Sequence, residues 1–284
     1  MKKTAKALIT LAAALASVAS LAACGNSSST ITIAVPNDPT NEARALLLLE
    51  ANGYLTLKED AGITATIADI EENPYNIEFQ EVEAANIPNV LEDVDYAIIN
   101  SNYAIGAGMN PVEDSLLIED SASQYVNVLA VYEDNADTDA TKALVAALES
   151  QEVADYITET YDGAVISVVS DPGDGKDATV DYDALAGTTI SVAASPSPHA
   201  EILAVAADIL DELQIKLEIL EYSDYVQPNN VVESGEVYAN YFQHIPYLDN
   251  FNEENGTHLV NACGVHIEPM ALYGGKQTSL DAIK

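Results

Sequence analysis

The chain of 284 residues has no tryptophan, one arginine (Arg44), and 10 basic residues against 46 acidic ones, for a formal charge of −36 at neutral pH. So few cations exclude nucleic acid as a partner, because phosphate backbones are gripped by lysine and arginine. Only two cysteines are present, Cys24 and Cys263, too few for a disulfide-built scaffold. Catalytic signatures are missing as well. There is no Gly-x-Ser-x-Gly elbow, no phosphate-binding glycine loop and no His-Glu-x-x-His helix, and pairs of carboxylates carry no signal in so acidic a chain. No enzyme activity, catalytic residue or cofactor is therefore expected. What the chain does have is length for two moderate domains and 48% apolar residues, enough for real cores.

At the front, Lys2, Lys3 and Lys6 precede an apolar run from Ala7 to Ala19 that is too short to span a bilayer. Residues 1–23 read as a signal segment. Leu21-Ala22-Ala23-Cys24-Gly25 has the form of a bacterial lipoprotein processing site, which implies cleavage before Cys24, a diacylglyceryl thioether on its sulfur and an added acyl chain of the palmitate type. Two or more chains hold a protein stably on a membrane, so the expected location is the extracytoplasmic face of the cell membrane, with residues 24–30 as tether. Cys263 is left without a disulfide partner and reads as a buried thiol in a strand.

From Ile31 the chain alternates strands and helices. The β-rich Ile31 to Val35 is broken by Pro36-Asn37-Asp38-Pro39, and a leucine-rich helix follows from Asn41 to Asn52. The same grammar returns at Thr189 to Ala194, Ser195-Pro196-Ser197-Pro198 and a helix from His199 to Leu213. Further correspondences join Asp95–Tyr103 with Val237–Ile245, and Leu116–Tyr132 with Leu259–Tyr273. Three matches in one order predict two similar α/β lobes with mostly parallel sheets, and ligands then sit beyond the carboxyl ends of the strands, in a cleft between the lobes. The expected division is a lobe over 31–122 carrying Arg44 and Asn100, then a crossover strand and helices over 123–169. A linker over 170–188, a second lobe over 189–273 and a tail over 274–284 rejoining the first lobe complete it. Asp139 to Tyr161 reads as a helix pair or one broken helix.

Two features bear on a ligand. Arg44, in the first turns of a helix, suits a carboxylate gripped by two parallel hydrogen bonds with help from the helix dipole; the alternative is a salt bridge to one of the many acids. Tyr222, Tyr225, Tyr238, Tyr241, Phe242, Tyr247 and Phe251 fall in one short stretch with His244, Gln227, Asn229 and Asn240. Some must simply pack the lobe, but strand alternation places Phe242 and His244 on one face, opposite Tyr241. Such a lining favours a small amphipathic ligand, and aromatic edges suit a thioether sulfur. A metal site from His244 and His266 would need ligands that the spacing does not supply.

Ile33 to Leu49, with Pro36-Asn37-Asp38-Pro39-Thr40-Asn41-Glu42-Ala43-Arg44 at its centre, resembles the signature of the NlpA family of methionine-binding lipoproteins. Similar matches are Tyr125-Val126-Asn127, Pro198 to Leu203, Tyr225 to Asn229, Asn240 to Leu248 and Val265 to Met270, so the resemblance covers nearly all of 31–284. It implies a type II periplasmic-binding-protein-like fold with ligand in the interlobe cleft, acting as the substrate-binding component of an ABC importer, with its permease and ATPase as partners. It also implies Arg44 on the ligand carboxylate, Asn100 and Asn127 on the polar groups of the amino acid, and Tyr225, Phe242, His244 and Tyr247 around the side chain. L-methionine or a close relative is the expected ligand, with a methionine-containing dipeptide, another apolar amino acid or metal capture as alternatives, and a monomer is expected. One departure is large: in the family the half with the Pro-His-Ala-Glu-Ile-Leu and Phe-Gln-His motifs comes first, whereas here it comes second, as in a circular permutation.

Overall fold

The computed structural model describes residues 30–120 and 124–283, so the signal segment, Cys24 and the tether lie outside the described residues. β1 (Ile31–Pro36) ends at the proline cluster. Asp38 then caps α1 (Pro39–Ala51) by accepting from the Asn41 backbone N–H at 3.0 Å, with proline at the first helical position, where its missing N–H costs nothing. A small pair, β2 (Thr56–Leu57) and β3 (Ile70–Glu72), follows, then β4 (Ile77–Val82), α2 (Ile87–Val90), β5 (Tyr96–Ile99), α3 (Ser101–Gly106) and β6 (Ser115–Ile118). Next come β7 (Val126–Tyr132), α4 (Asp139–Leu148), α5 (Gln151–Tyr161), β8 (Ile166–Ser167), α6 (Tyr182–Leu185), β9 (Thr189–Ala194) and α7 (Glu201–Glu212). The chain finishes through β10 (Lys216–Glu221), α8 (Gln227–Glu233), β11 (Ala239–His244), α9 (Ile245–Asn255), β12 (Leu259–Ile267) and β13 (Ala271–Gly274).

Two sheets carry the molecule, with strand orders β4-β1-β5-β13-β6 and β10-β9-β11-β7-β12-β8. They share a plan. In each, three strands run parallel, β4-β1-β5 or β10-β9-β11, and an antiparallel strand pairs with the third of them, β13 against β5 and β7 against β11. The predicted internal repeat is thus a repeat of sheet order. The sheets are mixed rather than mostly parallel, because the strands that arrive from the other lobe enter in the opposite direction. The chain crosses from the first sheet to the second between β6 and β7, and returns between β12 and β13.

That return is earlier than expected. Ala271–Gly274 already belongs to the first sheet, so the crossing falls between Ile267 and Ala271 rather than at residue 274. An apolar run such as Ala271-Leu272-Tyr273 reads alike in either sheet, and only its pairing partner decides.

Helices α4 and α5 are two helices, separated where the Ser150 side chain accepts from the Val153 N–H at 3.2 Å and restarts the helix. Leu144, Leu148, Val153 and Ile157 join Ile190, Ile202, Leu203 and Leu210 in the core of the second lobe, with Cys263 buried among them. Each fully buried aliphatic side chain contributes about 1.5–3 kcal/mol. In the first lobe, Ile33, Leu46, Leu49 and Ile98 pack with Leu272 and Ile283. Across the cleft, Tyr225 OH donates to Asn102 Oδ1 (2.7 Å), Tyr103 OH to the Ser223 carbonyl (3.1 Å), and His244 Nε2 bonds Asn41 Oδ1 (3.1 Å), so the lobes are closed on each other. No helix among the described residues is long and apolar enough to cross a membrane.

Candidate functional site

Between the lobes lies a pocket lined by Asn41, Arg44, Asn100, Ser101 and Asn102 from the first lobe and Tyr225, Phe242, Gln243, His244 and Tyr247 from the second. Asn127 and Glu268, on or next to the crossing strands, complete it. All seven residues singled out in the sequence, Arg44, Asn100, Asn127, Tyr225, Phe242, His244 and Tyr247, meet here. The repeat-equivalent positions Asn100, just past the end of β5, and Phe242, within β11, both line it.

The polar wall can be oriented atom by atom from one carboxylate. Asn41 Nδ2 donates to both oxygens of Asp38 (3.0 and 3.1 Å), which fixes its Oδ1 as an acceptor. That oxygen receives Asn100 Nδ2 at 2.8 Å and His244 Nε2 at 3.1 Å. His244 Nδ1 accepts the Tyr247 backbone N–H at 3.1 Å, so its single proton sits on Nε2. Burial, and then the charge of Arg44, hold this imidazole neutral by pushing its pKa well below the ordinary value. With Nδ2 of Asn100 committed, its Oδ1 is a buried acceptor without a partner among the described residues. Leaving such a group unpaired costs about 1–3 kcal/mol, so the cavity is built for a donor at that point.

Arg44 is buried and not open along its whole edge. Nε lies 3.1 and 3.2 Å from the two oxygens of Glu119, Nη2 lies 2.5 Å from Glu119 Oε2 and 2.7 Å from the Glu268 carbonyl, and the guanidinium carbon sits 4.2 Å from the centre of the Tyr125 ring. Of the two readings opposed in the sequence, the salt bridge is present, with Glu119 as the acid. Glu119 carried no signal among so many acids.

Behind the cavity a second network is sealed from solvent. His266 Nε2 approaches Glu268 Oε1 at 2.8 Å, His199 Nε2 approaches the same oxygen at 3.2 Å and Asn127 Oδ1 at 3.0 Å, and His266 Nδ1 pairs with Tyr241 OH. Burial pushes both histidines down to about 3, so both rings are neutral, and burial also pushes the Glu268 carboxyl up. His199, His266 and Glu268 offer metal-ligating atoms within 4.8 Å of one another. His244, the other histidine considered for a metal, is outside this group. His266 Nε2 is engaged by Glu268 and His199 Nε2 by Asn127 beside Glu268, while His199 Nδ1 has no hydrogen-bond partner among the described residues.

Aromatic side chains form the opposite wall. Phe242, Tyr247 and Phe251 cluster with Tyr225, whose ring lies 5.8 Å from both Phe242 and Tyr247. Strand alternation holds for Phe242 and His244 against Tyr241, but a register shift in β11 after Tyr241 brings Gln243 to the cavity too. Asn41, Ser101, Asn102, Gln243 and Glu268 were missed as site residues. Their signal was proximity to residues singled out, which types alone did not rank.

A model of the family described as NlpA lipoprotein matches residues 16–169 and 190–284. Outer membrane lipoprotein 3 of Mannheimia haemolytica is 47% identical over 135 residues, 48% of this chain and 51% of that protein. The D-methionine-binding lipoprotein MetQ of Yersinia pestis is 41% identical over 136 residues, 47% of this chain and 50% of that protein. Among solved structures, a nutrient binding protein from Burkholderia cenocepacia bound to methionine is 44% identical over 47% of this chain and 56% of that one, with a TM-score of 0.46. The chain spans about half the length of the curated relatives it matches.

Proposed function

The chain belongs to the NlpA lipoprotein family, and from that premise we propose that it is a solute-binding protein that closes its two lobes on methionine and hands it to an ABC importer. It makes and breaks no bond. Cys24 carries the lipid that holds it on the extracytoplasmic face of the membrane, and the protein works as a monomer beside a permease and its ATPase.

The observation that carries the reading is the match between the cavity and a zwitterion with an apolar tail. Nε and Nη2 of Arg44 are committed, which leaves the Nη1 edge for a carboxylate; Asn127 has its oxygen on His199, which leaves its amide nitrogen as a second donor. The unpartnered Asn100 Oδ1 and the Glu268 carboxylate are acceptors for an ammonium. Charge-assisted bonds of this kind are about twice as strong as neutral ones, and the rings of Tyr225, Phe242 and Tyr247 meet the thioether.

Titration calorimetry on protein stripped of ligand by unfolding and refolding tests this. Methionine binds, and methioninol, which lacks the carboxylate, binds far more weakly. A refolded protein that ignores methionine, or one that holds both equally, would sink the reading. Native mass spectrometry of the protein as isolated separates methionine from a dipeptide by mass.

A further inference from the structure

We propose that Glu119 is a positioning residue that sets the charge selectivity of the cavity, confining it to ligands without net negative charge; this rests on the reading of the cavity as a methionine site. Glu119 takes the Nε and Nη2 edge of the only arginine in the chain, so the guanidinium presents one edge to the cavity with its charge already countered. The carboxylate is itself held by the return crossing, because its Oε2 accepts the Met270 N–H at 3.3 Å while the Glu119 N–H donates to the Met270 carbonyl at 2.9 Å. Arg44 in turn donates to the Glu268 carbonyl. A helix of the first lobe and both crossings are thereby tied at one point.

The charges facing the ligand can be tallied from named groups. Arg44 contributes one positive charge, Glu119 behind it one negative, and Glu268 and the Asp38 carboxyl behind Asn41 each one negative or none, while His199, His244 and His266 are neutral. In neither state of Glu268 is the sum positive. A neutral zwitterion finds donors and acceptors without a net charge to satisfy, whereas a ligand of charge −1 finds no net positive charge to offset its own in a medium that screens poorly. Without Glu119 the same cavity would sit one unit higher and would discriminate less against anions, so selectivity comes from a residue that does not line the pocket.

Three compounds of one shape class test this by calorimetry: methionine, N-acetylmethionine (net −1) and methionine amide (net +1). For the wild-type protein the amide binds better than the N-acetyl compound; the opposite order overturns the inference without any variant. In Glu119→Gln, N-acetylmethionine gains on methionine by about tenfold or more, as expected for one charge removed at this range. Glu119→Asp keeps the charge on a shorter arm, so it weakens all three compounds and preserves their order. An unchanged ratio in Glu119→Gln, or a Glu119→Asp protein that behaves like Glu119→Gln, overturns the inference alone. Wild-type protein that binds none of the three overturns it together with the methionine reading.

Discussion

His199, His244 and His266 are enclosed, while His258 sits on the surface beside Glu233, with His258 Nδ1 2.9 Å from Glu233 Oε1. The hydrogen bond to Glu233 raises the pKa of His258 above the ordinary 6.5, whereas burial lowers that of the other three. A titration followed by the ring resonances in NMR should therefore show one histidine changing charge above 6.5 and three staying neutral well below it. For His199 and His266, the unfolded chain binds protons between about 6.5 and about 3 that the folded chain refuses, so stability from their neutrality is lost as the pH falls through that window. Glu268, with its pKa raised, works the other way and takes up its proton earlier in the folded state. Resonances of His199 or His266 that shift near the ordinary value would contradict the sealed network. At this scale the sequence marked Arg44 and His244 by type and rarity, but it could not say that Arg44 would already hold an acid.

At the level of elements, α8 is docked on β11 by three buried amides. Asn229 Nδ2 donates to Gln243 Oε1 (2.9 Å), Gln243 Nε2 donates back to Asn229 Oδ1 (2.7 Å) and to Asn240 Oδ1 (2.9 Å), and Asn240 Nδ2 donates to Asn229 Oδ1 (2.9 Å). Because Gln243 also lines the cavity, the trio fixes part of the ligand wall. Asn229→Ala leaves the buried Gln243 Oε1 without its donor and takes one acceptor each from Gln243 Nε2 and Asn240 Nδ2, and should cost about 2 kcal/mol, read by chemical denaturation, with weaker methionine binding alongside. An unchanged midpoint would show that the trio is dispensable. That Asp139 to Tyr161 is a helix pair or one broken helix was legible from its apolar face, and the cap at Ser150 decides for two helices. The amide trio was not, since Asn229, Asn240 and Gln243 meet only once strand and helix pack.

Over the whole molecule, Ile31 and Ile283 share the core of the first lobe, and Tyr96 OH donates to the Ser279 carbonyl at 2.7 Å. These contacts support the proposal that the halves are a permuted form of the family order, with residues 170–188 as the newer connection. Joining residue 284 to 31 through a short linker and opening the chain within 170–188 should give a protein with the same circular dichroism and methionine affinity. A rejoined chain that fails to fold or bind would refute the permuted order. A surface this acidic repels itself, which salt screens over about 10 Å at 0.1 M.

Local patterns determined a great deal: β1 and its proline stop, the cap and start of α1, and the repeat that became two sheets of one plan, whereas the set of seven residues that share one pocket came from the family resemblance. Those features depend on neighbours in the chain, through strand alternation, helix caps and turn residues, and can be read there. Tertiary structure alone decided which acid of 46 would hold Arg44, where β13 would pair, and which polar atoms would remain for a ligand. Those outcomes follow from groups far apart in the chain, such as Arg44 with Glu119 and Glu268, meeting at a closed interface where water is excluded and every polar atom must find a partner.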